Sequence, residues 1–451
     1  MVSRAYPDTQ LLLSFYGDDV TGSTDALEAA ALAGIPAVLF LAPPTKEQLR
    51  RYPGIRVVGV AGDSRSRSPA WMDANLPEIF TALKALGAPI LHYKTCSTFD
   101  SAPEVGNIGR AIEIGMTLFG APVPVVVGVL RHRRFVVFSN LFAAASVGGS
   151  QAVYRIDRHP SMSRHPITPM HEADLRLHLA QQTKRPVTGL DFHQLLAADA
   201  AERLDGDIVV FDTFDAVTAR RSGELLADLA AKKPIFVAGS SGVEYALFDH
   251  LQAEERLPAP RPLPSCGPVD KIVAVYGSCS PISAAQIDWA EHNGMTVVAA
   301  DTAGVVKNGA AAETVSVERM AAALSQSRGV VLCTARGPND PRIAQTRQAL
   351  EQTGRGAYES SRILGEHLGR VLRQTIEQTG IRRAVLAGGD SSSHAFSQLG
   401  IEALEVAAPL APGAPLCRAH ADDPRLDGLE IVLKGGQVGG PDFLGRLITG
   451  Y

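Results

Sequence analysis

No run of about 18 apolar residues occurs anywhere in the 451 residues, so a membrane-spanning helix is not expected. Met1 to Gln10 are polar and lack the apolar core of a secretory signal. Cysteine is scarce, with five scattered residues, Cys96, Cys266, Cys279, Cys333 and Cys417. The number is odd and no CxxC pair occurs, which argues against a disulfide framework or a zinc site and fits a reducing, cytoplasmic compartment. His165, His171 and His178 are spaced by six and seven residues, not the four of a helical metal pair, and no metal-ligating set is assigned. No five like charges are consecutive and the net charge is −4, which argues against a general nucleic-acid binder. Standard nucleotide motifs are missing as well. There is no GxxxxGKS/T, and no GxGxxG follows a strand, so a P-loop and an ordinary dinucleotide site are both excluded. Gly239-Ser240-Ser241-Gly242 lacks the GxSxG pattern of a nucleophile elbow and reads as a strand-to-helix turn.

What is present is an ordinary globular mixture, 45% hydrophobic and 20% charged, in a chain long enough for two domains. Short apolar runs alternate with helical stretches. Leu11–Tyr16 reads as a buried strand, Ser23–Ala33 as a helix capped at Gly34, and Ala37–Leu41 and Ile55–Val60 as further strands. That alternation predicts an α/β fold with a mainly parallel sheet flanked by helices. Other strand candidates are Ile90–Tyr93, Val123–Val127, Phe135–Ser139, Ile208–Phe211 and Pro234–Ala238. Four prolines between Leu257 and Pro264 predict a stiff connector. Beyond it the alternation restarts, with strands at Lys271–Tyr276, Thr296–Ala300, Gly329–Cys333 and Arg383–Leu386 and a helix over Ser361–Thr379.

Six segments follow strand candidates or are rich in glycine. Asp18 and Asp19, in Gly17-Asp18-Asp19-Val20-Thr21-Gly22, lie where open α/β sheets bind ligands. A helix cap needs one aspartate, not two, so the pair points to chemistry. Asp63-Ser64-Arg65 supplies a guanidinium fork suited to a carboxylate. Lys94-Thr95-Cys96-Ser97-Thr98 with Asp100 and Ser101 suits a polyhydroxylated anion. Gly277-Ser278-Cys279-Ser280 and Gly388-Gly389-Asp390-Ser391 place glycines and hydroxyls at helix starts, a good phosphate cradle. Lys434-Gly435-Gly436-Gln437-Val438-Gly439-Gly440 lets backbone approach a ligand closely. Each has a plainer reading as a capped turn or a solvated loop. The basic cluster Arg131-His132-Arg133-Arg134, beside an apolar run, reads as a site or a turn.

Taken in order, these segments resemble the four-carbon acid-sugar kinase family. The motif DDxTG is Asp18-Asp19-Val20-Thr21-Gly22. Asp63-Ser64-Arg65, Tyr93-Lys94 with Ser97-Thr98 and Asn107-Ile108-Gly109, Gly277-Ser278-Cys279-Ser280, Gly388-Gly389-Asp390-Ser391 and Lys434-Gly435-Gly436-Gln437 follow in the family's order. The resemblance implies an N-terminal acid-sugar-binding domain (1–256), a proline-rich linker (257–269) and a C-terminal nucleotide-binding domain (270–451), with the active site in the interdomain cleft. It implies an ATP- and Mg²⁺-dependent kinase acting on a hydroxyl of a small sugar acid, such as a 3-oxo-tetronate or the branched 3-oxo-isoapionate, with threonate or erythronate as the alternative. Asp19 would orient or deprotonate the attacking hydroxyl, with Asp18 second. Arg65, Lys94, Ser97 and Thr98 would bind substrate. Ser278, Ser280, Gly388, Gly389, Asp390, Ser391, Gly435 and Gly436 would cradle the nucleotide. The segment after Lys94 departs from the family's usual K-K-x-D-S-T-x-R-G-N, having lost a lysine and an arginine, which leaves the particular sugar acid open. Nucleic-acid and membrane partners are not expected; a homodimer is allowed. Rival classes are a dehydrogenase or lyase on a similar sheet, and a non-catalytic acid-sugar-binding protein.

Overall fold

The computed structural model describes residues 10–147, 150–165, 167–260 and 262–450. The chain divides into two units, Met1–Pro262 and Leu263–Tyr451. The division falls inside the proline-rich segment, where backbone without free N–H groups cannot extend either sheet.

The first unit is built on eight parallel strands: β1 (Leu13–Gly17), β2 (Ala37–Phe40), β3 (Val57–Ala61), β4 (Ile90–Lys94), β5 (Val123–Val126), and, after the small sheet below, β9 (Val187–Leu190), β10 (Ile208–Phe211) and β11 (Ile235–Gly239). Their order is β2-β3-β1-β4-β11-β5-β10-β9. β1, β3, β4 and β11 are buried along their whole length, as expected for parallel strands with both faces covered. The helix Val20–Leu32 starts where Asp19 accepts from the Gly22 N–H, and Gly34 turns the chain away at φ +72°. The ring of Tyr16 stacks on Tyr93 at 6.1 Å, and Phe80 packs edge-on to both, in a core that also takes in Phe236.

The apolar run read as a strand over Phe135–Ser139 lies outside this sheet. It forms β6 (Arg134–Val137), paired antiparallel with β7 (Asn140–Val147), which pairs with β8 (Ser150–Arg155). Phe138 and Ser139 turn the chain at φ +48° and +61°. The Asp212 carboxylate holds that turn by accepting both of their N–H groups at 2.7 and 2.8 Å.

The second unit carries β12 (Ile272–Tyr276), β13 (Thr296–Ala299), β14 (Gly329–Cys333), β15 (Arg383–Ala387), β16 (Ala403–Ala411), β17 (Ala414–His420) and β18 (Glu430–Lys434). Strands β13-β14-β12-β15-β18 are parallel, and β17 and β16 continue the sheet antiparallel. The last three strands were not expected from the sequence, where Lys434 reads only as the start of a glycine loop. Tyr276, Val385, Leu416, Val432 and Phe443 belong to this unit's own core.

Candidate active site

Three adjacent parallel strands end together. Gly17 of β1 stands opposite Ala61 of β3 and Lys94 of β4. Just past these ends, the Asp18 N–H donates to the Lys94 carbonyl at 2.9 Å and the Arg65 N–H to the Asp18 carbonyl at 3.0 Å. The topology thus brings together Asp18, Asp19, Arg65 and Lys94, which are up to 76 positions apart in the chain. Gly22 permits the close fit. A Cβ there would lie 2.2 Å from Asp19 Oδ1 and 2.9 Å from the Lys94 ammonium.

The two aspartates have different surroundings. Asp19 caps the helix. Its carboxylate accepts from the Gly22 N–H at 3.0 Å and the Thr21 hydroxyl at 2.6 Å, and Arg65 Nη2 stands 3.2 Å away. Burial pushes its carboxyl upward, but Arg65, Lys94 and these hydrogen bonds outweigh that and hold it below the usual range. Asp18 is equally buried, and its Oδ1 accepts no hydrogen bond among the described residues. Burial, and then the charge on Asp19, push it up to about 8 against the pull of Arg65 and Lys94. Lys94 is fully enclosed, its Nζ 3.7 Å from Asp25 Oδ2. Burial opposes its charge, but Asp25 and Asp19 more than restore it, so the ammonium persists.

The segment after Lys94 is a packed turn. Thr95 donates its N–H and its hydroxyl to the Gly239 carbonyl, the Thr98 hydroxyl donates to Asp100, and Ser101 meets Phe99 and His178. Phe99 sits at φ +55° to close it. Thr98 is buried and Ser97 half-buried. Burial pushes the Cys96 thiol up. The sequence reading missed Asp25 and Glu28, which lie three positions apart on the helix after the DDxTG turn, both buried. The signal available was two acids on the inner face of an otherwise alanine-rich helix.

In the second unit, β12, β15 and β18 are neighbours, with Ala387 opposite Tyr276 and Lys434. The Gly277 N–H donates to the Ala387 carbonyl at 2.8 Å and the Gly388 N–H to the Lys434 carbonyl at 3.0 Å, so three glycine loops leave one sheet edge side by side. Ser280 caps the helix Pro281–His292, and its hydroxyl donates to the Gly436 carbonyl, which also accepts from Ser283 at 3.2 Å. A Cβ on Gly436 would lie 2.2 Å from Ser278 Oγ, and one on Gly388 2.5 Å from Ser391 Oγ, whereas one on Gly389 would meet nothing within 4 Å. Gly435 opens the third loop, where a Cβ would meet only Val438 at 3.6 Å. Asp390 begins the helix Asp390–Phe396, and its side chain lies outside the described residues. Beneath the loops, Lys434 is wholly buried over the rings of Tyr276 (5.3 Å) and Phe443 (5.6 Å), with no hydrogen bond at Nζ among the described residues. Burial draws its ammonium down to about 7. Loops of this kind over a buried lysine make an anion site.

Residues 13–247 match the family model "Sugar-binding N-terminal domain", and residues 273–444 match "Nucleotide-binding C-terminal domain". The chain is 48% identical to a 3-oxo-isoapionate kinase of Paraburkholderia graminis, over 98% of this chain and 94% of that one. The chain belongs to the four-carbon acid-sugar kinase family. A 3-oxo-tetronate kinase of Methylobacterium radiotolerans is 29% identical over 97% of this chain and 99% of that one. The crystal structure of a Salmonella typhimurium LT2 protein described as a tRNA synthase superposes with a TM-score of 0.75 at 23% identity, over 97% of this chain and 98% of that one, a likeness that speaks for the fold alone. This acid-sugar kinase is therefore a sugar-acid phosphotransferase that uses ATP. Its Asp18, Asp19, Arg65 and Lys94 lie in the sugar-binding domain, and Ser278, Ser280, Gly388 and Gly436 in the nucleotide-binding domain. Among the described residues, no helix is long and apolar enough to cross a membrane.

Proposed function

We propose that the enzyme transfers the γ-phosphoryl group of ATP to a hydroxyl of a 3-oxo sugar acid, with a branched five-carbon acid of the 3-oxo-isoapionate type as its substrate. The observation that carries the mechanism is Asp18, a buried carboxyl without a hydrogen bond at Oδ1, set beside two fixed cations. Asp18 takes the proton of the attacking hydroxyl. The hydroxyl oxygen forms the new P–O bond as the bond from the γ-phosphorus to the bridging oxygen breaks, and ADP leaves. A base poised near 8 suits that proton transfer. Asp19, which the sequence reading put first as base, is committed to Arg65, Thr21 and the helix start, so we assign it to orientation. Arg65 and Lys94 receive the carboxylate and oxo group, and the half-buried Ser97 meets a substrate hydroxyl, whereas the Thr98 hydroxyl is committed to Asp100.

On the nucleotide side, Ser278, Ser280, Gly388, Gly389, Asp390, Ser391, Gly435 and Gly436 line the phosphates and Lys434 supplies the charge beneath. Mg²⁺ would be held by the nucleotide phosphates and water and would supply charge neutralisation on the transferred group. The five cysteines form no disulfide among the described residues, which supports a cytoplasmic setting. The test is purified protein with Mg-ATP and a panel of branched C5 and linear C4 3-oxo acids, threonate and erythronate, with ADP release as readout. Fastest turnover is expected on the branched acid. Turnover confined to linear acids would overturn the substrate, and absence of both turnover and ATP binding would overturn the kinase.

A further inference from the structure

The helix Val20–Leu32 carries Asp25 and Glu28 on one buried face, and the turn Leu130–His132 brings His132 to them. One ligand atom from each of the three lies within 4.8 Å of the others. His132 Nε2 stands 3.3 Å from Asp25 Oδ1, yet neither atom makes a hydrogen bond among the described residues, because the contact lacks the alignment of one. The Tyr245 hydroxyl, from the helix Gly242–Ala253, is buried and also without a partner. The helix Gly242–Ala253 packs against the helix Val20–Leu32, and burial and then the charges of Asp25 and Glu28 push the ionisation of Tyr245 up. Burial likewise lowers His132, so its ring is neutral. Native proteins rarely leave so many buried polar atoms unpaired in one place unless a ligand pairs them.

Two ligand classes compete for such a cluster. A divalent cation wants acceptors and uncompensated negative charge. Here the carboxylates already face cations, with Lys94 3.7 Å from Asp25 and Arg131 3.7 Å from Glu28. A hydroxyl both donates and accepts. It suits a cluster that mixes the acceptor Asp25 Oδ1 with a neutral imidazole and a phenol. Lys94 links this cluster to the Asp18–Asp19 turn, since its ammonium lies against both.

We propose that Asp25, His132 and Tyr245 form a subsite for a second hydroxymethyl arm of the substrate and so select branched over linear sugar acids. The inference rests on the kinase reading above and extends it from the reacting hydroxyl to substrate choice. A site built to hydrogen-bond a hydroxyl rejects an analogue that lacks it, because the site's buried groups are then left unpaired.

The experiment measures kcat and KM with Mg-ATP for one branched C5 and one linear C4 3-oxo acid, in wild type, Tyr245→Phe, His132→Gln and His132→Ala. Tyr245→Phe removes only an unpartnered buried hydroxyl, so the variant is expected to fold with an unchanged or higher Tm. Its kcat/KM for the branched acid is expected to fall on the order of tenfold, mostly through KM, with little change for the linear acid. His132→Ala is expected to do the same and His132→Gln, which keeps an N–H donor, to recover most of the loss. Parallel losses on both acids, or no loss on either, would overturn the subsite while leaving the kinase intact. A stoichiometric metal that co-purifies with wild type and is lost in Asp25→Asn would also overturn it, by assigning the cluster to a cation. If wild type turns over neither acid, the kinase reading fails and the subsite falls with it.

Discussion

Asp18 and Asp19 are chemically identical neighbours that the fold drives in opposite directions. Asp18→Asn is expected to lower kcat by roughly 10²–10⁴ while leaving ATP binding intact, the usual size of general-base catalysis. Wild-type kcat/KM should rise with pH as Asp18 loses its proton through about 8, and the variant's profile should lack that rise. The same group affects stability. The folded protein holds this proton more tightly than the unfolded chain, whose carboxyl titrates at about 4. Stability contributed by Asp18 is therefore complete at acid pH and lost as pH climbs through about 8. Asp18→Asn should accordingly raise Tm at pH 8.5 more than at pH 5, as read by scanning calorimetry. Lys434 gives a further residue-scale expectation. Its ammonium, drawn down to about 7, should regain a proton when phosphates arrive. Titration calorimetry in buffers of different ionisation heat should show uptake on the order of half a proton per ATP near pH 7, abolished in Lys434→Met.

At the scale of elements, the packing of helix on helix is set by glycine. Gly223 of the helix Ala216–Lys232 faces the helix Gly242–Ala253, and a Cβ there would lie 2.0 Å from the Ala246 carbonyl oxygen. Backbone cannot yield as a side chain can. Gly223→Ala is therefore expected to destabilise by about 2 kcal/mol in urea unfolding, although alanine is the better helix former in isolation. Most strands of the parallel sheets were legible as short buried apolar runs, but β9, Val187-Thr188-Gly189-Leu190 with three half-buried positions, was not read. Nor were β16, β17 and β18. In β16 and β17 the apolar residues are interrupted by glutamate, arginine and histidine on half-buried or exposed positions and the two strands pair antiparallel, whereas β18 is a short buried run, Ile431-Val432-Leu433, parallel to β15. The segment after Lys94 was read as a longer polar loop. Its hydroxyls instead pair within the turn and with Gly239 and His178, partners about 80 to 145 positions away.

At the scale of the whole molecule, two units with separate cores carry two separate chemistries. Calorimetry is expected to resolve two unfolding transitions. Mg-ATP should raise one and the sugar acid the other, each by about 2.7 kcal/mol of stability when the ligand is present at about 100 times its Kd. One transition moved equally by both ligands would contradict that independence.

From the sequence alone came the α/β class, the kinase family and the segments proposed for the site, because these are written as local composition and ordered motifs. Tertiary structure decided what surrounds those residues. Only the parallel order β3-β1-β4 sets Arg65 and Lys94 against the aspartates, and only the hydrogen bonds and guanidinium around Asp19 separate it from the equally buried Asp18. Likewise, Asp25 and His132 belong to elements far apart in the chain, and their atoms meet only after folding. Proton affinity and hydrogen-bond pairing depend on what surrounds a group in space, and a linear sequence does not carry that information.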